Sequence, residues 1–268
     1  MLKKNKLALF GLIILVLFCV LAALAPVIAP YDPGEIMESE IQGPSLKHLF
    51  GTDDLGRDVL SRVIYGGRIS LSVAAVAVLV ALSIGIMIGA ISGYYGGLID
   101  EIIMRFTDIM LSFPTIFLIL VIQSVLTPNI YNVMIVIGAT SWMGIARLVR
   151  GEFLTLKERE FVEAARAIGC SNLRIIFRHI LPNSMAPIIV AATLGMAGAI
   201  LTESALSFLG LGVQPPTPSW GNMLMDSQTY LLDAPWMAII PGLFIVLAVL
   251  SLYFVGEALR EALNPKEW

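Results

Sequence analysis

The composition of this 268-residue chain is that of a protein that crosses a membrane several times. Hydrophobic residues make up 57% of it and charged residues only 14%, whereas about a quarter of a soluble domain is charged. The formal net charge of −3 says little, because in a membrane protein the distribution of charge matters more than its sum. The figures exclude a soluble globular domain and predict an all-α membrane protein.

Six stretches are long and apolar enough to span a bilayer as helices of about 20 residues. They cover about 7–28, 69–93, 105–126, 130–148, 184–204 and 236–256. The uncharged run from Leu7 to Tyr31 is too long for the hydrophobic region of a signal peptide, so we predict a retained first helix. The sequence therefore predicts six transmembrane helices.

The basic residues predict how the helices are oriented, because lysine and arginine accumulate on the cytoplasmic side. With the N-terminus inside, the outer segments hold only Lys47, Arg57, Arg62 and Arg68. The inner segments hold thirteen basic residues, namely Lys3, Lys4, Lys6, Arg105, Arg147, Arg150, Lys157, Arg159, Arg166, Arg174, Arg178, Arg260 and Lys266. Both termini and the polar segment 150–183 are thus predicted to be cytoplasmic.

The first outer loop, 30–68, contains a predicted short helix that Thr52 or Asp53 caps. Its apolar stripe consists of Leu55, Val59, Leu60, Val63 and Ile64. Such a helix suits the outer membrane interface or the side of the bundle.

The second outer loop, 205–235, is dense in proline and glycine. We predict that it folds back over the mouth of the bundle. Trp220 and Trp236 are then interfacial anchors.

A strip of small residues runs along the second predicted span. Ala81, Gly85, Gly89 and Gly93 recur every four residues, which lets another helix backbone approach closely. Packing within this chain is the simpler interpretation. A subunit interface or a sliding contact near the transport pathway is the alternative.

Motifs of catalysis and metal binding are missing from the sequence. It contains no phosphate-binding loop, H-E-x-x-H or G-x-S-x-G motif, so we expect no enzymatic activity and no ATP hydrolysis in this chain.

His48 and His179 are predicted on opposite sides of the membrane, and no metal site is expected. Asp53, Asp54 and Asp58 beside His48 are better explained as helix-capping and interface charges than as a metal entry site.

Few ionisable residues fall within the spans. Glu101 and Arg105 are one helical turn apart and are predicted to form an ion pair at the start of the third span, with Asp108 nearby. Glu203 lies near the outer end of the fifth span, where a charged group needs a partner or water. A buried hydrogen bond to the following loop and a position at the transport pathway or gate are both compatible with the sequence.

The segment 160–182 concentrates charge within this apolar chain and reads as two short helices. Phe161, Ala164, Ala165 and Ile168 recur at helical spacing and predict one apolar face. Gly169 is the predicted C-terminal stop, and Ser171 is placed to cap a second helix that ends at Pro182. We therefore interpret this segment as a docking site for another protein.

Glu163-Ala-Ala is followed by Gly169 and, after eleven intervening residues, by Leu181-Pro182. This spacing resembles the EAA loop of a known family, the inner-membrane permease subunits of binding-protein-dependent ABC importers. His179, where isoleucine is usual, resembles the dipeptide, oligopeptide and nickel branch. Further matches are G-T-D-x-L-G-R-D at 51–58, M-R-x-x-D at 104–108, S-F-L-G-L-G at 207–212 and L-R-x-x-L-N-P at 259–265.

This resemblance implies a type I importer fold in the inner membrane of a prokaryote. Residues 1–68 would form the N-terminal helix and outer loop, and 69–268 the transmembrane domain with its EAA loop at about 150–183. The implied function is translocation of dipeptides, oligopeptides or a related ligand such as a nickel chelate. A stand-alone carrier or channel is the alternative from another class.

The same resemblance implies partners for the chain. They are a paralogous permease, one or two ABC ATPase subunits that bind ATP and Mg²⁺, and an extracytoplasmic substrate-binding protein. This chain itself would hold no cofactor. The residues implied to couple to the ATPase are Phe161, Glu163, Ala164, Ala165, Arg166, Ile168, Gly169, Leu181 and Pro182.

Overall fold

The computed structural model describes residues 5–37, 41–127 and 129–263. Regular structure within these ranges is helical, apart from one isolated antiparallel bridge between Thr52 and Asp58. The α-helices are α1 Lys6–Ala23, α2 Ala25–Ile28, α3 Val59–Tyr95, α4 Gly97–Ser112, α5 Thr115–Val125, α6 Ile130–Ala139, α7 Trp142–Leu156, α8 Glu160–Ala167, α9 Asn172–Ile175, α10 Leu181–Asn183, α11 Met185–Phe208, α12 Trp220–Ser227 and α13 Trp236–Leu263. The prediction of an all-α membrane protein is confirmed.

Five helical stretches of the described chain are long and apolar enough to cross a membrane. They are α1, α3, α6 with α7, α11 and α13. The predicted third span is instead the pair α4 and α5, which meet at an angle of 83°. Phe113 adopts an extended conformation at the bend, because the residue before a proline is excluded from the α region. This pair is the sixth span only if the bend lies within the bilayer.

Helix α3 begins ten residues earlier than predicted and replaces the short helix expected in the first outer loop. The carboxylate of Asp58 caps it, accepting a hydrogen bond of 2.8 Å from the backbone N–H of Ser61. The helix then continues unbroken for 37 residues, about 55 Å at 1.5 Å per residue. The separate interfacial helix was therefore a wrong prediction, and the boundary drawn between residues 68 and 69 falls inside α3.

The small-residue strip of α3 packs against α7 within this chain. A Cβ added at Gly85 would lie 2.7 Å from the Cβ of Ile145, and one at Gly89 would lie 2.5 Å from the carbonyl oxygen of Ala146. Both distances are below any ordinary contact, so the two backbones can touch only because these positions are glycine. The prediction of packing within the chain is confirmed.

The second outer loop inserts Trp220 into the bundle. Its side chain is buried, and the indole N–H donates a 2.9 Å hydrogen bond to the carbonyl oxygen of Val63. The ring of Phe18 meets it edge-on with centroids 5.7 Å apart. Trp220 is therefore a core residue and not the interfacial anchor that was predicted. Trp236 is half-buried, and its indole N–H donates to the carbonyl oxygen of Thr52.

Candidate functional site

The segment 160–182 folds as a compact knob, which we call the coupling segment. Its first helix, α8, ends at Ala167 and is followed two residues later by Gly169, whose φ of +80° lies in the left-handed region. The Gly169 N–H donates to the carbonyl of Arg166 at 2.9 Å, and the Cys170 N–H donates to that of Ala165 at 3.0 Å. This pair of bonds is a Schellman motif, so the predicted stop at Gly169 is correct.

The second half of the coupling segment differs from the prediction. Ser171 occupies the N-cap position of α9, but its side chain makes no capping hydrogen bond. Residues Ile176–Ile180 then form a π-helical turn that leads into α10, so Pro182 does not end the helix. Proline is tolerated in the first turn of α10 because its missing N–H is not needed there.

The apolar face predicted for α8 is mostly exposed. Val162 and Ala165 are buried, whereas Ile168 is 81% exposed and Phe161 is 40% exposed; Ala164 is exposed as well. Val162 was missed because α8 has only eight residues and two apolar patterns overlap in it, one with Phe161 and one with Val162. Only the pattern with Val162 packs against the bundle. Three residues of the predicted face, Phe161, Ala164 and Ile168, are thus exposed on the surface of this chain, and only Ala165 is buried.

The buried face of the coupling segment packs against the C-terminal ends of α3 and α7. The cluster contains Ala90, Tyr94, Val149, Phe153, Val162, Ala165, Ile175, Ile176, Ile180 and Ile188. Leu181 packs against its edge, while Pro182 is exposed. Because so many apolar side chains interlock, the segment is a folded part of the bundle and not a free loop.

Two charged side chains of the segment, Glu163 and Arg166, differ in their contacts. Glu163 is exposed. The guanidinium of Arg166 lies over the ring of Tyr94, 5.8 Å from its centroid, so Arg166 makes a contact within its own chain. The Tyr94 hydroxyl donates a 2.8 Å hydrogen bond to Oδ1 of Asn172.

Two ion pairs join α4 to α7. Arg150 binds Asp100 through two hydrogen bonds of 2.5 and 2.6 Å, and Arg147 pairs with Asp108. The predicted pair of Glu101 and Arg105 is not among the ion pairs of the described residues. The arginines that pair with α4 come from α7.

Glu203 is fully buried where α11 meets α3. Its carboxylate accepts hydrogen bonds from the hydroxyls of Ser207 at 2.8 Å and Ser70 at 3.1 Å. The Ser207 oxygen in turn accepts a 3.1 Å bond from the backbone N–H of Val213 in the following loop. Glu203 thus reaches the following loop through Ser207, as one of the two alternatives predicted. A position at the pathway or gate stays a prediction.

A cluster of buried charges holds the first outer loop against α3 and α12. Nδ1 of His48 is 2.9 Å from Oδ1 of Asp58, and Asp53 binds the side chain of Arg57 at 2.7 Å. Arg62 lies 3.2 Å from Asp53 and 3.3 Å from Asp226. Burial raises the pKa of Asp226 against the opposing effect of Arg62 and Arg57. Each carboxylate has an arginine or a capping role, which favours the capping interpretation over a metal site.

The fold and the coupling segment together define a membrane permease subunit. Residues 85–268 match the family described as "Binding-protein-dependent transport system inner membrane component", and residues 1–44 match "N-terminal TM domain of oligopeptide transport permease C". The chain belongs to this permease family.

Several relatives are similar over nearly the whole chain. The "Dipeptide transport system permease protein DppC" of Alkalihalophilus pseudofirmus is 50% identical over 266 residues, which cover 99% of this chain and 88% of the relative. The "Oligopeptide transport system permease protein OppC" of Bacillus subtilis is 41% identical, with 98% and 87% covered. Their names belong to the dipeptide and oligopeptide branch of the family, which His179 predicted.

Solved structures support the fold independently of sequence. The chain resembles inward-facing conformations of the MetNI methionine ABC transporter with a TM-score of 0.59 at 17% identity, covering 74% of this chain and 94% of the other. At that identity the likeness concerns the fold alone. It confirms the prediction of a type I ABC importer permease fold.

Proposed function

We propose that this chain is a permease subunit of an ABC importer that carries dipeptides or oligopeptides delivered by an extracytoplasmic binding protein. Its relatives at 50% and 41% identity are named as dipeptide and oligopeptide permeases, and they cover 99% and 98% of it. No feature of the described residues favours a nickel chelate over a peptide.

The orientation and the partners are part of this proposal. The coupling segment and both termini lie in the cytoplasm, as the distribution of lysine and arginine indicates. A separate ATPase subunit binds ATP and Mg²⁺ and docks on the coupling segment, and a paralogous permease completes the transmembrane pathway. Closure of the ATPase then moves the coupling segment and biases the transporter between inward- and outward-facing states.

The exposed apolar face of a folded coupling segment is the observation that carries this proposal. Ile168 is 81% exposed, Leu173 65% and Phe177 64%, although they sit on a segment whose other face is well packed. Burying one such side chain in a partner contributes about 1.5–3 kcal/mol, so a few of them suffice for a stable contact. Ala165 is 4% exposed and supports the segment from inside, not as a docking anchor.

Replacement of Ile168 tests the proposal. We expect Ile168→Asp to weaken ATPase binding at least about 10-fold. The substitution places a charge where, in the proposed complex, the ATPase buries an apolar side chain. The variant complex, purified and reconstituted with its binding protein, should lose both the ATPase subunit and ATP-driven uptake of a labelled dipeptide. The paralogous permease should stay bound, because the transmembrane contacts are untouched.

Ile168→Val is the matched control, since it keeps an apolar side chain at the same exposed position. It should retain ATPase binding and dipeptide uptake. Full uptake and ATPase retention in Ile168→Asp would contradict the docking assignment, and uptake of nickel but not of dipeptide in the wild-type complex would contradict the substrate class.

A further inference from the structure

Tyr94 contacts both halves of the coupling segment at once. It lies in the last turn of α3, next to the end of that helix at Tyr95. Its ring lies under the guanidinium of Arg166 on α8, 5.8 Å from the centroid, and its hydroxyl donates to Oδ1 of Asn172 on α9 at 2.8 Å. One side chain of α3 therefore bridges the two helices on either side of Gly169.

The surroundings of Tyr94 make this bridge rigid. The side chain is 8% exposed and belongs to the same apolar cluster as Val162 and Ile175. Its hydroxyl reaches the surface, where Asn172 is exposed. The ring thus fills the space under the segment, while its polar tip fixes the position of α9.

We propose that Tyr94 is a positioning residue for coupling, one that fastens the coupling segment to α3 so that the two move as one unit. The second half of the segment leads through α10 directly into α11, which gives the movement one route along the chain. The contacts of Tyr94 provide a second route into α3, whose glycine strip packs on α7. This inference rests on the proposed function, because it assigns a role in transmitting the movement of the docked ATPase.

Tyr94→Phe isolates the polar half of the bridge. It keeps the ring under Arg166 and removes only the hydroxyl that binds Asn172. Tyr95→Phe is the matched control: the neighbouring tyrosine is 49% exposed, and its ring meets that of Tyr94 edge-on at 5.2 Å. The two variants change the same atom in adjacent residues of one helix.

Hydrogen exchange of the backbone amides at 160–175, measured on the intact complex, reads the position of the segment directly. We expect Tyr94→Phe to accelerate this exchange about 2- to 10-fold, the effect of one lost hydrogen bond, and to lower the number of substrates imported per ATP hydrolysed. Tyr95→Phe should change neither. Equal exchange rates and equal coupling ratios in the two variants would overturn the inference.

Asn172→Ala provides a second route to the same test, because it removes the partner of the hydroxyl from an exposed position. Its exchange rates should match those of Tyr94→Phe, and combining the two changes should add nothing further. Additive effects would contradict a shared hydrogen bond.

Different measurements test the docking of the ATPase and the role of Tyr94. If Ile168→Asp kept the ATPase bound and active, the docking assignment would fall, while the exchange rates would still show whether Tyr94 holds the segment. If the exchange rates changed but the coupling ratio did not, Tyr94 would be a structural residue only, and its role in coupling would be refuted.

Discussion

Gly169 owes its importance to backbone conformation and not to space. Its φ is +80°, and a Cβ added there would meet nothing within 4 Å. A side chain therefore fits, but a β-branched residue is strained in the left-handed region. Gly169 fixes the angle between α8 and α9, and so the position of the exposed face that we propose docks the ATPase.

A substitution series at Gly169 separates conformation from bulk. We expect Gly169→Val to destabilise the turn by about 1–2 kcal/mol and to reduce ATP-driven uptake. Gly169→Asn should retain most of the ATP-driven uptake, because asparagine tolerates the left-handed conformation. Uptake by the reconstituted complex is the measurement, and equal activity of the two variants would refute the conformational explanation.

Individual residues could be predicted from the sequence where one local rule decides them. The Gly169 stop is such a case, since a glycine follows a short amphipathic helix. Tyr94 and Val162 were missed because their roles arise from contacts between segments far apart in the chain. The pair Tyr94-Tyr95 before two glycines is a signal for a helix end that could have drawn attention to Tyr94.

At the scale of helices, the existence of the spans followed from hydropathy, but several of their boundaries did not. Helix α3 absorbs the polar stretch before residue 69 because Asp58 caps it and Arg62 finds acidic partners in the folded protein. Likewise, the bend between α4 and α5 depends on Phe113 and Pro114, whose effect on the direction of the chain is not apparent from apolar content. Burial of Trp220 also required knowledge of the fold.

The packing of α3 against α7 requires glycine at the contact. We expect Gly89→Val to destabilise the subunit by about 2–4 kcal/mol, because its Cβ would lie 2.5 Å from the Ala146 carbonyl oxygen. Gly151→Val is the matched control on α7, since a Cβ there meets nothing within 4 Å. Thermal unfolding of the purified complex should show a clear loss for the first variant and a small change for the second. Equal losses would argue against close packing as the cause.

For the whole molecule, the chain divides its polar groups between two ends. A buried cluster of His48, Asp58, Arg57, Arg62 and Asp226 lies at the predicted outer end, and the coupling segment lies at the predicted inner end. Between them, Glu203 is enclosed by serines of α3 and α11. Under the proposed function, substrate enters at the first end and the ATPase acts on the second.

Site-directed cross-linking tests the central claim, that the exposed face of the coupling segment docks the ATPase. Cys19 and Cys170 are first replaced by serine, and a benzophenone reagent is attached to a single cysteine at Ile168, which is 81% exposed, or at Leu46, which is 100% exposed in the outer loop. Irradiation of the assembled complex should join the Ile168→Cys variant to the ATPase subunit and leave Leu46→Cys without that product. A cross-link from Leu46 to the ATPase, or none from Ile168 in an actively transporting complex, would contradict the account.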